Sequence, residues 1–170
     1  MKKILLLFTL SFGLTLAHAQ ETTPKTEDKP EFPSLVLKDM DGKEVDLQKF
    51  AKSGKVTILS FWATWCAPCK KELENMNEVL EEWQEKYNVQ LVAVSIDDAR
   101  NAMKVKPYVN GKKWEFTVLL DVNQDAKRAL NFPNVPYTVL IDKNGNIVYK
   151  HIGYTEGDEQ VLEEKIAALK

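Results

Sequence analysis
Two cysteines and two histidines are all that the 170 residues contain. His18 falls in an apolar leader, which leaves Cys66, Cys69 and His151 in the body of the chain. A zinc site needs four ligands, often as paired C-x-x-C motifs or two Cys with two His, so no metal is expected. Charge of one sign is lacking too: 23 Lys and Arg stand against 25 Asp and Glu, a net charge of −2. That balance supplies no basic stripe and argues against a nucleic-acid partner. No glycine-rich nucleotide loop, Ser/His/Asp set or paired-carboxylate site stands out, and there are no internal repeats or low-complexity segments. Apolar residues, by contrast, make up 44% of the chain, ample for a core without a disulfide scaffold.

The chain has one long apolar run, and it sits at the start. Lys2 and Lys3 precede Ile4 to Leu16, and Ala17-His18-Ala19 gives the small-residue pattern of a cut ahead of Gln20. Residues 1–19 therefore read as a secretory signal peptide. The alternative, an uncleaved anchor, would want roughly 20 apolar residues. No cysteine stands at the cut, which argues against a lipid anchor. Residues 20–31 are polar, carry Pro24 and Pro30 and show no periodicity, as in a flexible tether. Residues 32–170 form one domain of ordinary size, expected in the periplasm or another extracytoplasmic compartment.

Exported proteins live where disulfides persist. Two cysteines three positions apart staple little, because loop-closure stabilisation grows with loop length. The pair reads as chemistry.

Leu35 to Leu37 and Val45 to Leu47 flank an Asp-Gly step, a hairpin signal. Val56 to Trp62 is almost continuously apolar, as in a strand buried on both faces. A long helix follows Cys69, with Leu73, Met76, Leu80, Trp83 and Tyr87 on one stripe. Val89 to Ile96 is a second buried strand, so strand, helix and strand make a right-handed βαβ unit. Then come a weaker helix over 97–111, a strand over 116–120, a short helix over 124–130 and strands over 137–141 and 147–152. The last two are joined by Asn144-Gly145, a two-residue hairpin signal, and a helix over 158–169 closes the chain. His151 reads as an ordinary strand residue.

Cys66 falls where the buried strand gives way to the helix. Unpaired N–H groups and the positive dipole end stabilise a thiolate there. Such a position lowers a Cys pKa from about 8.5 to between roughly 3.5 and 7.5. Cys66 is thus the expected nucleophile, and Cys69, one turn inside, the resolving thiol. Pro68 suits the first helical turn, where no N–H is needed.

Phe32-Pro33-Ser34-Leu35, the run Phe61-Trp62-Ala63-Thr64-Trp65-Cys66-Ala67-Pro68-Cys69-Lys70 and Val135-Pro136-Tyr137-Thr138 together resemble the thioredoxin superfamily. More narrowly they are similar to the exported TlpA/ResA-like thiol–disulfide oxidoreductases, over roughly residues 32–169. The resemblance implies an α/β thioredoxin fold: a central mixed sheet flanked by helices, with an N-terminal β-hairpin and a helix–strand insertion over about 97–121. It implies a redox-active Cys66–Cys69 disulfide and no other cofactor. It also implies a cis bond before Pro136, which sets Val135 backbone groups beside the pair to receive an extended substrate segment, and Trp65 as the substrate-side aromatic residue that shields the nucleophile; core or surface packing is the alternative for Trp65. Glu72 matches an acidic residue that moves protons for the buried thiol; an ordinary solvated glutamate on a charged helix is the alternative. Ser60 stands where minimal thioredoxin has a buried acid, which strengthens Glu72 as the proton-transfer candidate. Tyr137 replaces a small residue and is expected to narrow access to the pair.

The resemblance further implies reduction of disulfides in exported proteins, apocytochrome c among them, with a membrane thiol–disulfide electron donor. The alternatives are a disulfide-introducing oxidant, a thiol peroxidase and a non-catalytic binding module.

Overall fold
Seven strands and five helices follow one another over residues 30–170, the part that the computed structural model describes. The signal peptide and most of the tether, expectations on residues 1–29, lie outside the described residues. Pro30 and Glu31, read as the end of the tether, are already attached to the domain. Ile147 donates its N–H to the Pro30 carbonyl at 2.9 Å, and Glu31 bridges Asn146.

The strands are β1 (Val36–Asp39), β2 (Glu44–Asp46), β3 (Val56–Trp62), β4 (Val89–Ser95), β5 (Thr117–Leu120), β6 (Tyr137–Ile141) and β7 (Ile147–Ile152). They form one sheet in the order β2-β1-β5-β4-β3-β6-β7. Strands β3, β4 and β5 are parallel; β6 runs antiparallel to β3, and β1 antiparallel to β5. This is the mixed sheet expected, with the N-terminal hairpin β1–β2 at one edge. Strand β3 lies inside the sheet between β4 and β6, and all seven of its residues are buried, which explains its continuous apolar run.

The helices are α1 (Gln48–Ala51), α2 (Ala67–Tyr87), α3 (Val105–Lys112), α4 (Asp125–Leu130) and α5 (Asp158–Ala167). The buried face of α2 comprises Cys69, Glu72, Leu73, Met76, Leu80, Trp83 and Tyr87. The apolar stripe is therefore core, and the second cysteine and the glutamate continue the same line. Helix α3 lies beside α2, tied by Lys112 to Glu74 at 2.7 Å. Its Tyr108 and the following Trp114 pack on Trp62 with centroids 5.7 and 5.3 Å away.

Three local readings change. The helix expected over 97–111 starts at Val105 after a single 3-10 turn, Ala102–Lys104. Pro107 then falls in the first turn of α3, where its missing N–H is harmless. Helix α1 gave no periodic signal because it is one turn long. The β6–β7 connection is a three-residue loop: Asp142 N–H donates to the Asn146 carbonyl at 2.9 Å, and Gly145 takes φ +89°. The β1–β2 turn repeats it, with Asp39 N–H on the Lys43 carbonyl at 2.9 Å and Gly42 at φ +85°. In both, the leading aspartate Oδ1 accepts two backbone N–H groups, from residues two and four positions on.

Candidate active site
The chain leaves β3 at Trp62 and turns through Ala63, Thr64 and Trp65 before α2 begins. Cys66 caps that helix in an extended conformation (φ −92°, ψ 101°), and its Sγ accepts the Cys69 N–H at 3.3 Å. The two sulfurs are joined in a disulfide. Cys66 is 5% exposed and Cys69 0%, so only the first has an edge toward solvent. The 21-residue α2 ends its dipole on Cys66.

The turn before the pair is held by a residue that the sequence pattern did not single out. Asp97, itself buried, accepts the Thr64 N–H at 2.8 Å and the Thr64 hydroxyl at 2.7 Å. The Ser95 hydroxyl donates to the same carboxylate at 2.8 Å. An aspartate two residues past a buried strand was the available signal, but it reads equally well as a helix cap.

Glu72 is 6% exposed, which removes the solvated alternative. Its Oε2 accepts the Ser60 hydroxyl at 3.2 Å and its Oε1 the Thr138 hydroxyl at 2.7 Å. Ser60 and Thr138 are direct cross-strand partners of β3 and β6, so the two hydroxyls clasp one carboxyl. Burial pushes the Glu72 pKa up to about 7. The two hydroxyl donors pull it back, and the Asp158 charge adds a smaller upward push. Thr138 was not foreseen; finding it requires the β3–β6 register.

The Val135–Pro136 peptide is cis, with Pro136 buried and Val135 half-buried. Tyr137 pairs with Phe61, so the β3–β6 register carries Pro136 to the same end of the sheet as the start of α2. The Gly153 N–H fixes the Pro136 carbonyl at 2.8 Å. Trp65 is 63% exposed, beside the buried Cys66. Tyr137 does not narrow access to the pair as expected. It is buried on the opposite face of the sheet, stacked on Phe132 with centroids 4.4 Å apart. His151 lies in β7, as expected, and its Nε2 is 3.3 Å from Asp158 Oδ2.

A profile of the AhpC/TSA family matches residues 29–150. The chain belongs to the AhpC/TSA family. Within it, the thiol–disulfide oxidoreductase ResA of Bacillus thuringiensis subsp. konkukian is 34% identical over 167 residues, covering 98% of this chain and 92% of that one. The protein of the same name in Bacillus subtilis is 32% identical over 149 residues, covering 85% and 79%. Among solved structures, a thioredoxin-like protein from Porphyromonas gingivalis is 48% identical with a TM-score of 0.72, covering 81% and 90%. A Chlorobium tepidum protein assigned as a thiol:disulfide interchange protein DsbE is 30% identical with a TM-score of 0.73, covering 83% and 96%. This AhpC/TSA member thus has the thioredoxin-like fold and is a thiol–disulfide oxidoreductase, exchanging disulfides with disulfide-containing substrates.

Proposed function
We propose that the protein works outside the cytoplasm, after signal-peptide cleavage, as a reductase of disulfides in exported proteins. Cys66 attacks the substrate, Cys69 resolves the mixed disulfide, and Glu72 accepts the Cys69 proton. Trp65, Val135 and Pro136 receive the substrate chain. A membrane thiol–disulfide donor restores the dithiol, apocytochrome c belongs to the substrate class, and the Cys66–Cys69 pair is the only redox group required.

The position of Cys66 carries the exchange chemistry of this reading, and the redox titration below decides its direction. The Cys66 sulfur sits on the amino end of α2 and accepts a backbone N–H, an environment that favours a thiolate. In the reduced protein, that thiolate attacks one substrate sulfur and the other substrate sulfur leaves with the bonding pair. Cys69, deprotonated by Glu72, then attacks Cys66 Sγ, closes the disulfide and releases the second substrate thiolate. Glu72 suits the task because its pKa, raised to about 7 by burial, lets it hold or release a proton near neutral pH.

A peroxidase reading lacks a partner: Ala63 stands three residues before Cys66, and the Thr64 hydroxyl is committed to Asp97.

The test has two arms. Cys69→Ala should accumulate mixed disulfides through Cys66 with exported proteins, and a Cys66→Ser, Cys69→Ala double variant should trap none. Trapping through position 69 in Cys66→Ser alone would reverse the roles. A redox titration should then fall toward the reducing end of the range between about −270 and about −120 mV. A value at the oxidising end would replace the reductase with a disulfide-introducing oxidant.

A further inference from the structure
Glu72 has a second side. A cavity of about 10 Å³, on the order of what one water molecule needs, is lined by Glu72, Thr138, His151, Tyr154, Asp158 and Glu159 among others, and by neither cysteine. Thr138, which donates to Glu72, is the direct cross-strand partner of His151. Such partners place their side chains on one face with Cβ atoms about 5 Å apart. The His151 side chain is 36% exposed and its Nε2 contacts Asp158 at 3.3 Å. One end of this arrangement is a sealed carboxyl and the other meets solvent.

We propose that His151, braced by Asp158, is the group through which Glu72 returns to solvent the proton it takes from Cys69. The inference rests on the role given to Glu72 above. When the protein reduces a substrate, the Cys69 thiol loses its proton to the Glu72 carboxylate as its electron pair forms the bond to Cys66 Sγ. Glu72 must then be emptied before the next cycle. The proton crosses the cavity to the imidazole, and the imidazolium, beside the Asp158 carboxylate, releases it to water. Re-reduction of the disulfide runs the route inward. Imidazole suits the step because one ring carries both a proton donor and a proton acceptor.

The other groups facing the cavity do this less well. Strand β6 contributes the Thr138 hydroxyl, and the Ser60 hydroxyl of β3 reaches Glu72 from outside the cavity lining. From β7, Tyr149 stacks on His151, with the Lys165 ammonium above its ring. Between β7 and α5, the Tyr154 hydroxyl accepts from Asn75 of α2 at 2.6 Å and donates to Glu159 of α5 at 3.0 Å. Its burial and Glu159 push its pKa up to about 12, so its own ionisation is out of reach.

A pH jump on the oxidised protein tests the route, with the Glu72 carboxyl infrared band, identified by its loss in Glu72→Gln, as the readout. His151→Gln should slow deprotonation of that band about tenfold, a modest share of what positioned acid–base groups contribute. His151→Ala should slow it similarly, and added imidazole should restore it. Wild-type relaxation in both variants overturns the proposal, as does a slowing that imidazole fails to restore, which marks a structural effect. Resolution of a Cys66–glutathione adduct separates the two levels. If Glu72→Gln slows resolution while the His151 variants relax normally, only the route falls. If Glu72→Gln resolves at the wild-type rate, the role of Glu72 falls with it.

Discussion

Ser60 and Phe61 are consecutive on β3, and Thr138 and Tyr137 consecutive on β6, yet the two pairs live in different worlds. Phe61 and Tyr137, opposite each other, close with Phe132 into an aromatic cluster whose centroids lie 4.4 to 5.9 Å apart. Ser60 and Thr138, one step along and on the other face, hold a buried carboxyl. The first face contributes burial and ring-on-ring contact. The second accepts a costly polar group and limits the cost with two hydroxyl donors. A period of two along a strand is enough to set an apolar face and a carboxyl-holding face back to back.

Substitutions can break or sharpen that contrast. Phe61→Ala should have the largest effect, about 3–5 kcal/mol of lost stability in urea unfolding, with the pH dependence of stability left intact. A changed pH dependence would mean that the faces are not separable. Glu72→Gln comes next. The Glu72 pKa rises from 4.5 to about 7 on folding, so the native state holds the proton more tightly than the unfolded chain. Stability then falls as pH rises through that window, by roughly 3 kcal/mol in all. Unfolding at pH 5 and pH 8 should show this decline in the wild-type protein, and the variant should lose it. Thr138→Val removes the closer donor to the ionised carboxyl. It should cost about 1–2 kcal/mol at pH 8, less at pH 5, and move the Glu72 titration upward. Ser60→Ala, at the longer bond, should act in the same direction and least; a downward shift in either variant would contradict the assignment of the hydroxyls as donors.

Much of this was legible in the chain. The burial of β3, the stripe of α2 and the placement of Cys66 follow from periodicities of two and 3.6 and from the need of a helix start for a cap. The twin turns were visible as Asp-Gly and Asn-Gly, although their three-residue form depends on aspartates that gather backbone N–H groups. What stayed hidden comes from register and distance. Thr138 is 66 residues from Glu72, and Asp97 is 33 from Thr64. Each looks unremarkable in its own segment, a hydroxyl in a strand or an acid after one, until the sheet aligns it. Tyr137 follows the same rule, since the strand's alternation turns it away from the face that holds Glu72. Helix α3 begins later than the sequence suggests because the stretch from Asp98 to Asn101 turns without forming a helix.

The bonds from Asp97 to Thr64 involve no sulfur. Breaking the S–S bond therefore removes no atom from this set of hydrogen bonds. Asp97 thus ties the turn before Cys66 to the end of β4 through oxygens and nitrogen alone, apart from the S–S bond, which is the bond that exchange makes and breaks.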